Sequence, residues 1–278
     1  MVEEVKAWDI DVRDTMIRIA RECAEVDGQA PLDEAVRIRL RNNGLIGSTL
    51  WLEGNAGFAL RHDEALELAV VPGQRAKGIG GALAAAALEG VTSAWSHGDH
   101  PAAARLAARH GFSRARELWV MRRPVTDLPP TPDAVTIRTW TPDDRDELLR
   151  VNAEAFRTHP EQGDMDAQNL ADRMAEPWFD AAGLLVVTED ERMLGFHWTK
   201  KHSAEVGEVY VVATDPAAQG RGLGRALTVA GLHHLRSVLD EDGEIILYVE
   251  SDNARAVALY ESLGFTHAAE DTHVQYRR

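Results

Sequence analysis

The chain has 278 residues and a formal net charge of −15, with 30 Lys and Arg against 45 Asp and Glu. That balance argues against general affinity for nucleic acid or an anionic membrane, although a local basic patch can still hold a phosphate. Cys23 is the single cysteine, which excludes an internal disulfide, and no apolar run approaches the ~20 residues of a membrane span.

The start, "MVEEVKAWDI", is acidic and has no apolar stretch, so no signal peptide is expected. These features together predict a cytoplasmic protein with no nucleic-acid or membrane partner; a monomer is expected. The length allows about two ordinary domains.

In chain order, the first glycine-rich turn is "ELAVVPGQRAKGIGGALAAAALEG", beginning at Glu67. "HPAAARLAARHGF" follows from His100, a helical pattern ending in Gly111 as a C-cap. Next comes "RRPVTDLPPTPDAVTIRTW", in which Pro124, Pro129, Pro130 and Pro132 crowd together. Such a segment is extended and pairs poorly, as a linker should. It predicts a first domain over 1–125, a linker over 126–134 and a second domain over 135–278.

The second half predicts a helix over 143–156, with Thr141 as N-cap before Pro142. Strands are expected over 183–187 and 193–200 around the turn "TEDER". A strand over 208–213 then runs into "DPAAQGRGLGRALTVA". A helix over 221–239, a strand over 245–249, a helix over 254–263 and a strand over 272–277 complete the chain. Alternating strands and helices predict an α/β fold with a mixed sheet.

The two halves echo each other. Pro72 and Gly78 precede Pro216 and Gly222 by the same 144 residues, and Gly80 precedes Gly224 likewise. "NARAVALYESLGF", from Asn253 to Phe265, matches the His100–Phe112 run at an offset of 153. Matched features in the same order predict an internal duplication.

Glycines after a strand let backbone approach a ligand, and the following helix N-terminus offers unpaired N–H groups to an anion. The triphosphate pattern Gly-Lys-Ser/Thr is missing, and Arg225 and Leu227 break the two dinucleotide registers. What remains is Q/R-x-x-G-x-G, from Gln219 to Gly224 and from Arg75 to Gly80. With the asparagine helix and its Leu-Gly-Phe end, this resembles the GCN5-related N-acetyltransferase family.

The resemblance implies two tandem acetyltransferase domains, each a mixed, mostly antiparallel sheet flanked by helices, with acetyl-CoA as co-substrate and no metal. It implies that Gln219, Gly220, Arg221, Gly222, Leu223, Gly224 and Arg225 hold the pyrophosphate. Asn253, Ala254, Arg255, Ala256, Val257 and Ala258 would complete the cofactor groove. In this family two central strands splay apart, which would leave backbone at Val212, Ala213 and Thr214 open to the pantetheine. The first-half counterparts are Leu68, Ala69 and Val70, with Arg75, Ala76, Lys77, Gly78, Ile79 and Gly80 as the loop.

Acetyl transfer to an amine needs a neutral amine and a reprotonated thiolate. Strand alternation puts Glu208, Tyr210 and Val212 on one face, and Glu208 is the expected general base. Tyr260 is expected to protonate the leaving thiolate. In the first half Ala107 stands at the position of Tyr260, His100 at that of Asn253 and Glu64 at that of Glu208. That half is therefore expected to bind cofactor at most.

Further runs, "DGQAPLDE", "AFRTHPEQG", "EPWFD", "GFHWTK", "GEVYVVA" and "LYVESDN", are similar to a tandem branch of the family. The branch implies transfer to the cysteinyl amine of cysteinyl-glucosaminyl-inositol, with Glu34, Glu161, Lys200, Glu208 and Tyr248 contacting that acceptor. The loop "KHSAEVGE" after Lys200 departs from the branch in being short and free of proline. His197 and Trp198 fit either a pocket wall or core, and His233-His234 has no metal-ligand spacing. Two alternatives are a tandem N-acetyltransferase for an antibiotic or peptide amine, and a non-catalytic acyl-CoA-binding regulator.

Overall fold

A computed structural model describes residues 1–131, 135–157, 162–163 and 165–278. Pro132 of the expected linker and Glu161, an expected acceptor contact, lie outside the described residues.

The first half contains β1 (Glu3–Glu4), α1 (Ile10–Asp27), α2 (Glu34–Asn43), β2 (Ser48–Glu53), β3 (Gly57–His62), β4 (Ala65–Val70), α3 (Ile79–Ala87), β5 (Ser93–Ser96), α4 (Pro101–Arg109) and β6 (Ser113–Pro124). The second contains β7 (Arg138–Thr139), α5 (Arg145–Ala155), α6 (Ala167–Met174), β8 (Leu184–Glu189), β9 (Arg192–Lys201), β10 (Val206–Thr214), α7 (Leu223–Val238), β11 (Glu244–Glu250), α8 (Ala254–Glu261) and β12 (Thr266–Arg277). The chain divides into two compact units. One comprises Met1–Trp119, Glu250–Asp252 and Ala268–Arg278; the other comprises Val120–Val249 and Asn253–His267.

In the second unit the strand order is β11-β10-β9-β8-β7. β8 and β9 form a hairpin through Asp190 and Glu191, both at positive φ, as a two-residue turn requires. β9 pairs antiparallel with β10, β10 pairs parallel with β11, and α7 is the crossover between the two parallel strands. One sheet face buries Phe196, Trp198, Val211 and Ala213 against Leu148 and Val151 of α5 and Leu170 of α6. Each fully buried Leu or Phe contributes about 1.5–3 kcal/mol relative to exposure. The other face is covered by α7, which buries Leu223, Leu227, Leu232 and Leu235. α7 begins at Leu223 rather than 221, because Gly222 at φ +76° is its left-handed N-cap. The pattern from 143 resolves into a short Pro142–Asp144 turn before α5, with the Thr141 amide donating to Asp144 Oδ2 at 2.8 Å.

In the first unit β1, β2, β3, β4 and β5 follow in order, and β12 lies beyond β5. Val274–Arg277 of β12 pair antiparallel with Ser93–Ser96. α1 starts at Asp9, whose Oδ1 accepts from the Val12 amide at 3.0 Å, and buries Met16, Ile19 and Cys23 against Leu50, Phe58 and Leu60.

The duplication is visible bond by bond. The Ala82 amide donates to Gly78 O and the Ala226 amide to Gly222 O. The Phe112 amide donates to Ala107 O and the Phe265 amide to Tyr260 O, closing both helices at Gly111 and Gly264, each at positive φ. A Cβ on Gly57 would lie 2.6 Å from Ala69 O, and one on Gly195 would lie 2.7 Å from Ala213 O. Each unit thus needs a glycine where the strand turning into the loop crosses close to its neighbour.

Candidate active site

β10 and β11 are in register only from Val206↔Glu244 to Val209↔Leu247. Beyond that point they part, so Val211 to Thr214 keep β9 as a partner on one side and none of β11 on the other. β4 and β5 behave alike, pairing only at Ala65↔Ser93 and Leu66↔Ala94. Backbone on the open side of β10, at Val212, Ala213 and Thr214, borders the resulting cleft. Tyr248 is the first β11 residue past the paired stretch and is 39% exposed.

The register of β10 against β9 slips between Val209 and Val211, a bulge at Tyr210. Glu208 faces Lys200, Val211 faces Trp198, and Val212 faces His197. Glu208 and Tyr210 therefore share the face of Lys200 and Trp198, while Val212 turns toward α7. This corrects the expected alternation: an extra residue in the strand reverses the side-chain period beyond it.

Asp215 closes β10 and anchors the glycine loop. Its Oδ1 accepts from the Ala217 amide at 2.9 Å, and its Oδ2 accepts from Arg150 at 2.8 Å and Arg192 at 2.9 Å. Burial alone would raise its pKa. The Ala217 amide and the two guanidiniums outweigh burial and hold it at about 2. Gly220 and Gly222 are at φ +80° and +76°, and a Cβ on either would meet nothing within 4 Å. The space beside the loop is open, and among the described residues no side chain caps the N-terminus of α7. Its first N–H groups are thus available to an anion.

The loop is tied to α8. Arg255 donates to Gln219 Oε1 at 3.3 Å, and Arg225 donates to Ser262 Oγ at 2.8 Å. Arg221 is held by Glu189 at 2.9 Å. The Asn253 side chain caps α8, accepting from the Ala256 amide at 3.1 Å. No residue of α8 is fully buried, so Ala254, Ala256, Val257 and Ala258 present an accessible surface.

Glu208 and Lys200 are both 5% exposed. The Lys200 ammonium sits 4.7 Å from the Trp178 ring centre and 5.1 Å from that of Tyr210, in cation–π geometry. Trp198 packs edge-on to Tyr210, and the Tyr210 hydroxyl accepts from Arg173 at 2.8 Å. Among the described residues the Glu208 side chain has one hydrogen-bond partner, His202, with Nε2 at 2.6 Å from Oε2. The Tyr260 hydroxyl makes no hydrogen bond to a described residue. Its half-buried ring packs against Phe265, and desolvation pushes its pKa up to about 12.

The first-half positions are differently engaged. Arg75 forms a two-pronged pair with Asp27 at 2.7 and 2.6 Å, and its Nε donates to Val70 O at 2.9 Å. Its Nη1 also lies 3.3 Å from His100 Nε2. Ala76 takes φ +61° where the second half has Gly220. Lys77 donates to Gly73 O, and Gly78 at φ +85° caps α3, whose first residues are Ile79 and Gly80. Leu68, Ala69 and Val70 lie beyond the β5 pairing and keep β3 as their partner strand. Glu64, the expected counterpart of Glu208, is an exposed turn residue accepting from Thr92 at 2.8 Å. The buried carboxylate of that half is Glu67, 2% exposed, which burial raises to about 7. Glu34 opens α2 in the first unit.

Three residues gain a role only in three dimensions. Trp178 lies in the run "EPWFD", where nothing local marks it as the cover of a lysine. Asp215 reads in sequence as a strand end. His202 sits in a loop distinguished only by its length. Each acquires meaning through a partner that its own segment does not reveal.

Residues 146–265 match the acetyltransferase (GNAT) family. The mycothiol acetyltransferase of a Nocardioides species is 53% identical, over 96% of this chain and 98% of its own length. That of Actinosynnema mirum is 47% identical, over 97% of each chain. The chain belongs to the mycothiol acetyltransferase family. As a member of that family it is an acetyl-transferring enzyme that uses acetyl-CoA. Among solved structures, a tandem GNAT protein from the clavulanic acid biosynthesis pathway superposes with a TM-score of 0.72 at 19% identity, covering 100% of this chain and 98% of that one. A GCN5-related N-acetyltransferase from Sphaerobacter thermophilus gives 0.71 at 22% identity, covering 100% and 95%. These two likenesses establish the shared tandem fold. Among the described residues no helix is long and apolar enough to cross a membrane.

Proposed function

We propose that this chain is a mycothiol synthase, transferring acetyl from acetyl-CoA to the cysteinyl amine of cysteinyl-glucosaminyl-inositol to give mycothiol and CoA. The observation that carries this reading is near-full-length identity of 44–53% to proteins named mycothiol acetyltransferase. The reading assigns the chemistry to the half over 135–278 and a non-catalytic role to the half over 1–125. It describes a cytoplasmic monomer with no nucleic-acid or membrane partner.

When bound, acetyl-CoA supplies an acetyl group activated as a thioester. The open loop from Gln219 to Arg225 and the uncapped α7 N-terminus fit its pyrophosphate, and the parted β10 and β11 fit its pantetheine. Glu208 takes a proton from the acceptor ammonium, whose pKa of ~8 leaves it mostly protonated near neutrality. Tyr260 delivers a proton to the departing sulfur, and its raised pKa keeps the phenol protonated until then. Lys200, held among Trp178 and Tyr210, donates to acceptor hydroxyls, and Tyr248 lines the same cleft. Glu34 and Glu161 are assigned to the acceptor on the same reading.

The test is an acetylation assay with cysteinyl-glucosaminyl-inositol beside an aminoglycoside and a peptide amine. Turnover confined to the cysteinyl pseudodisaccharide supports the reading. Preference for either other amine overturns it, and acetyl-CoA binding without any turnover points to a regulator.

A further inference from the structure

Glu208 is a buried base with a disposal problem. Its side chain is 7% exposed, whereas that of His202, its one hydrogen-bond partner among the described residues, is 35% exposed. The turn that carries His202 is closed by its own bonds. The His202 amide donates to Val206 O at 2.9 Å, and Ser203 Oγ accepts from the Glu205 and Val206 amides at 3.1 Å each. This short turn folds the imidazole back onto the strand at 2.6 Å from Glu208. On its other side His202 lines a cavity of about 550 Å³ whose wall includes Trp178, Asp180, Lys201 and His234. The charges there are already engaged: His234 lies 3.3 Å from Asp180, and Lys201 donates to Val238 O at 2.5 Å. Lys200 stands opposite Glu208 on β9, and Arg173 bonds the Tyr210 hydroxyl on the same face.

We propose that His202 is a positioning and relay residue, carrying the proton taken by Glu208 out to this cavity. The inference rests on Glu208 being the base. An acceptor ammonium loses two protons when its N–C bond forms and the C–S bond breaks. One ends on the CoA sulfur through Tyr260. The other is taken by Glu208 and must leave before the next turnover, because a protonated carboxyl cannot act as a base. With Glu208 ionised, Nε2–H of His202 donates to Oε2. Once Glu208 is protonated, solvent exchange at the part-exposed ring moves the imidazole proton to Nδ1, Nε2 takes the proton from Oε2, and release from Nδ1 to water restores the starting tautomer. One ammonium proton thus becomes one solvent proton, and no other co-reactant is consumed.

The test is steady-state kinetics of His202→Gln and His202→Asn, with added imidazole and a parallel acetyl-CoA titration. A relay predicts kcat lowered by ~10-fold or more, unchanged acetyl-CoA affinity, and recovery of kcat as imidazole rises, with the unaltered enzyme insensitive to imidazole. Unchanged kcat in both variants overturns the proposal. So does a loss that imidazole does not restore in either one, because a merely structural histidine is not replaced by a diffusing base. Glu208→Gln separates the two layers: if it keeps full turnover, the base assignment itself fails; if it is inactive and unrescued while the His202 variants are rescued, both stand.

Discussion

Gly231, in the middle of α7, lies directly against the ring of His197: a Cβ there would fall 2.0 Å from His197 Cε1. His197 is fully buried, its Nδ1 donates to Leu227 O at 2.8 Å, and burial, partly offset by that bond, lowers its pKa to about 4. The neutral ring therefore fills the notch that glycine leaves between α7 and β9. A mid-helix Gly→Ala change ordinarily gains about 1 kcal/mol. Here overpacking reverses the sign, and Gly231→Ala is expected to destabilise by about 2 kcal/mol or more. Urea unfolding measures it; a stabilised variant would show the notch to be slack.

The proposed proton-transfer pair, Glu208 and Tyr260, would carry distinct kinetic signatures. Glu208→Gln and Tyr260→Phe are each expected to lower kcat by ~10²-fold or more with acetyl-CoA binding retained. The Tyr260 phenol is held protonated to about pH 12, so its ionisation gives no alkaline fall in kcat between pH 7 and 10. A Tyr260-dependent fall within that range, absent from Tyr260→Phe, would contradict the assignment.

Gly222 combines a positive φ with open space on its side-chain side. Gly222→Val is expected to cost about 1–2 kcal/mol through the left-handed backbone alone. It should also weaken acetyl-CoA binding by more than that loss explains, because the side chain would enter the space that the proposed reading assigns to the pyrophosphate. Calorimetric titration of folded variant decides it, and normal affinity removes the loop assignment.

Asp215 links the loop to stability. Its pKa is depressed from the ordinary aspartate value of 3.8 to about 2. A depressed carboxylate contributes stability that is present above the unfolded value and lost as pH falls through the folded one. The contribution, about 2 kcal/mol, should therefore vanish between pH ~4 and ~2. Asp215→Asn should remove most of this pH-dependent part. Unfolding free energies of both proteins across pH 2–6 test this, and parallel curves would refute it.

Much of this protein was legible in one dimension. Glycine after a strand, the Q/R-x-x-G-x-G spacing and the Asn253 helix are local features. Their geometry is set by backbone sterics and helix-end chemistry within a few residues, so the sequence by itself determined the α/β class, the repeat and the position of the glycine loop. The tertiary structure alone decided where alternation breaks at Tyr210, because a bulge depends on the register of β9 against β10. It alone showed Glu64 exposed in the β3–β4 turn and Glu67 buried within β4, because the pairing of β3 with β4 decides which residues the turn takes up. His202 reaches Glu208, and Trp178 reaches Lys200, only after their strands and loops are brought together. Pairing across a sheet is a relation between segments, and no pattern within either segment records it.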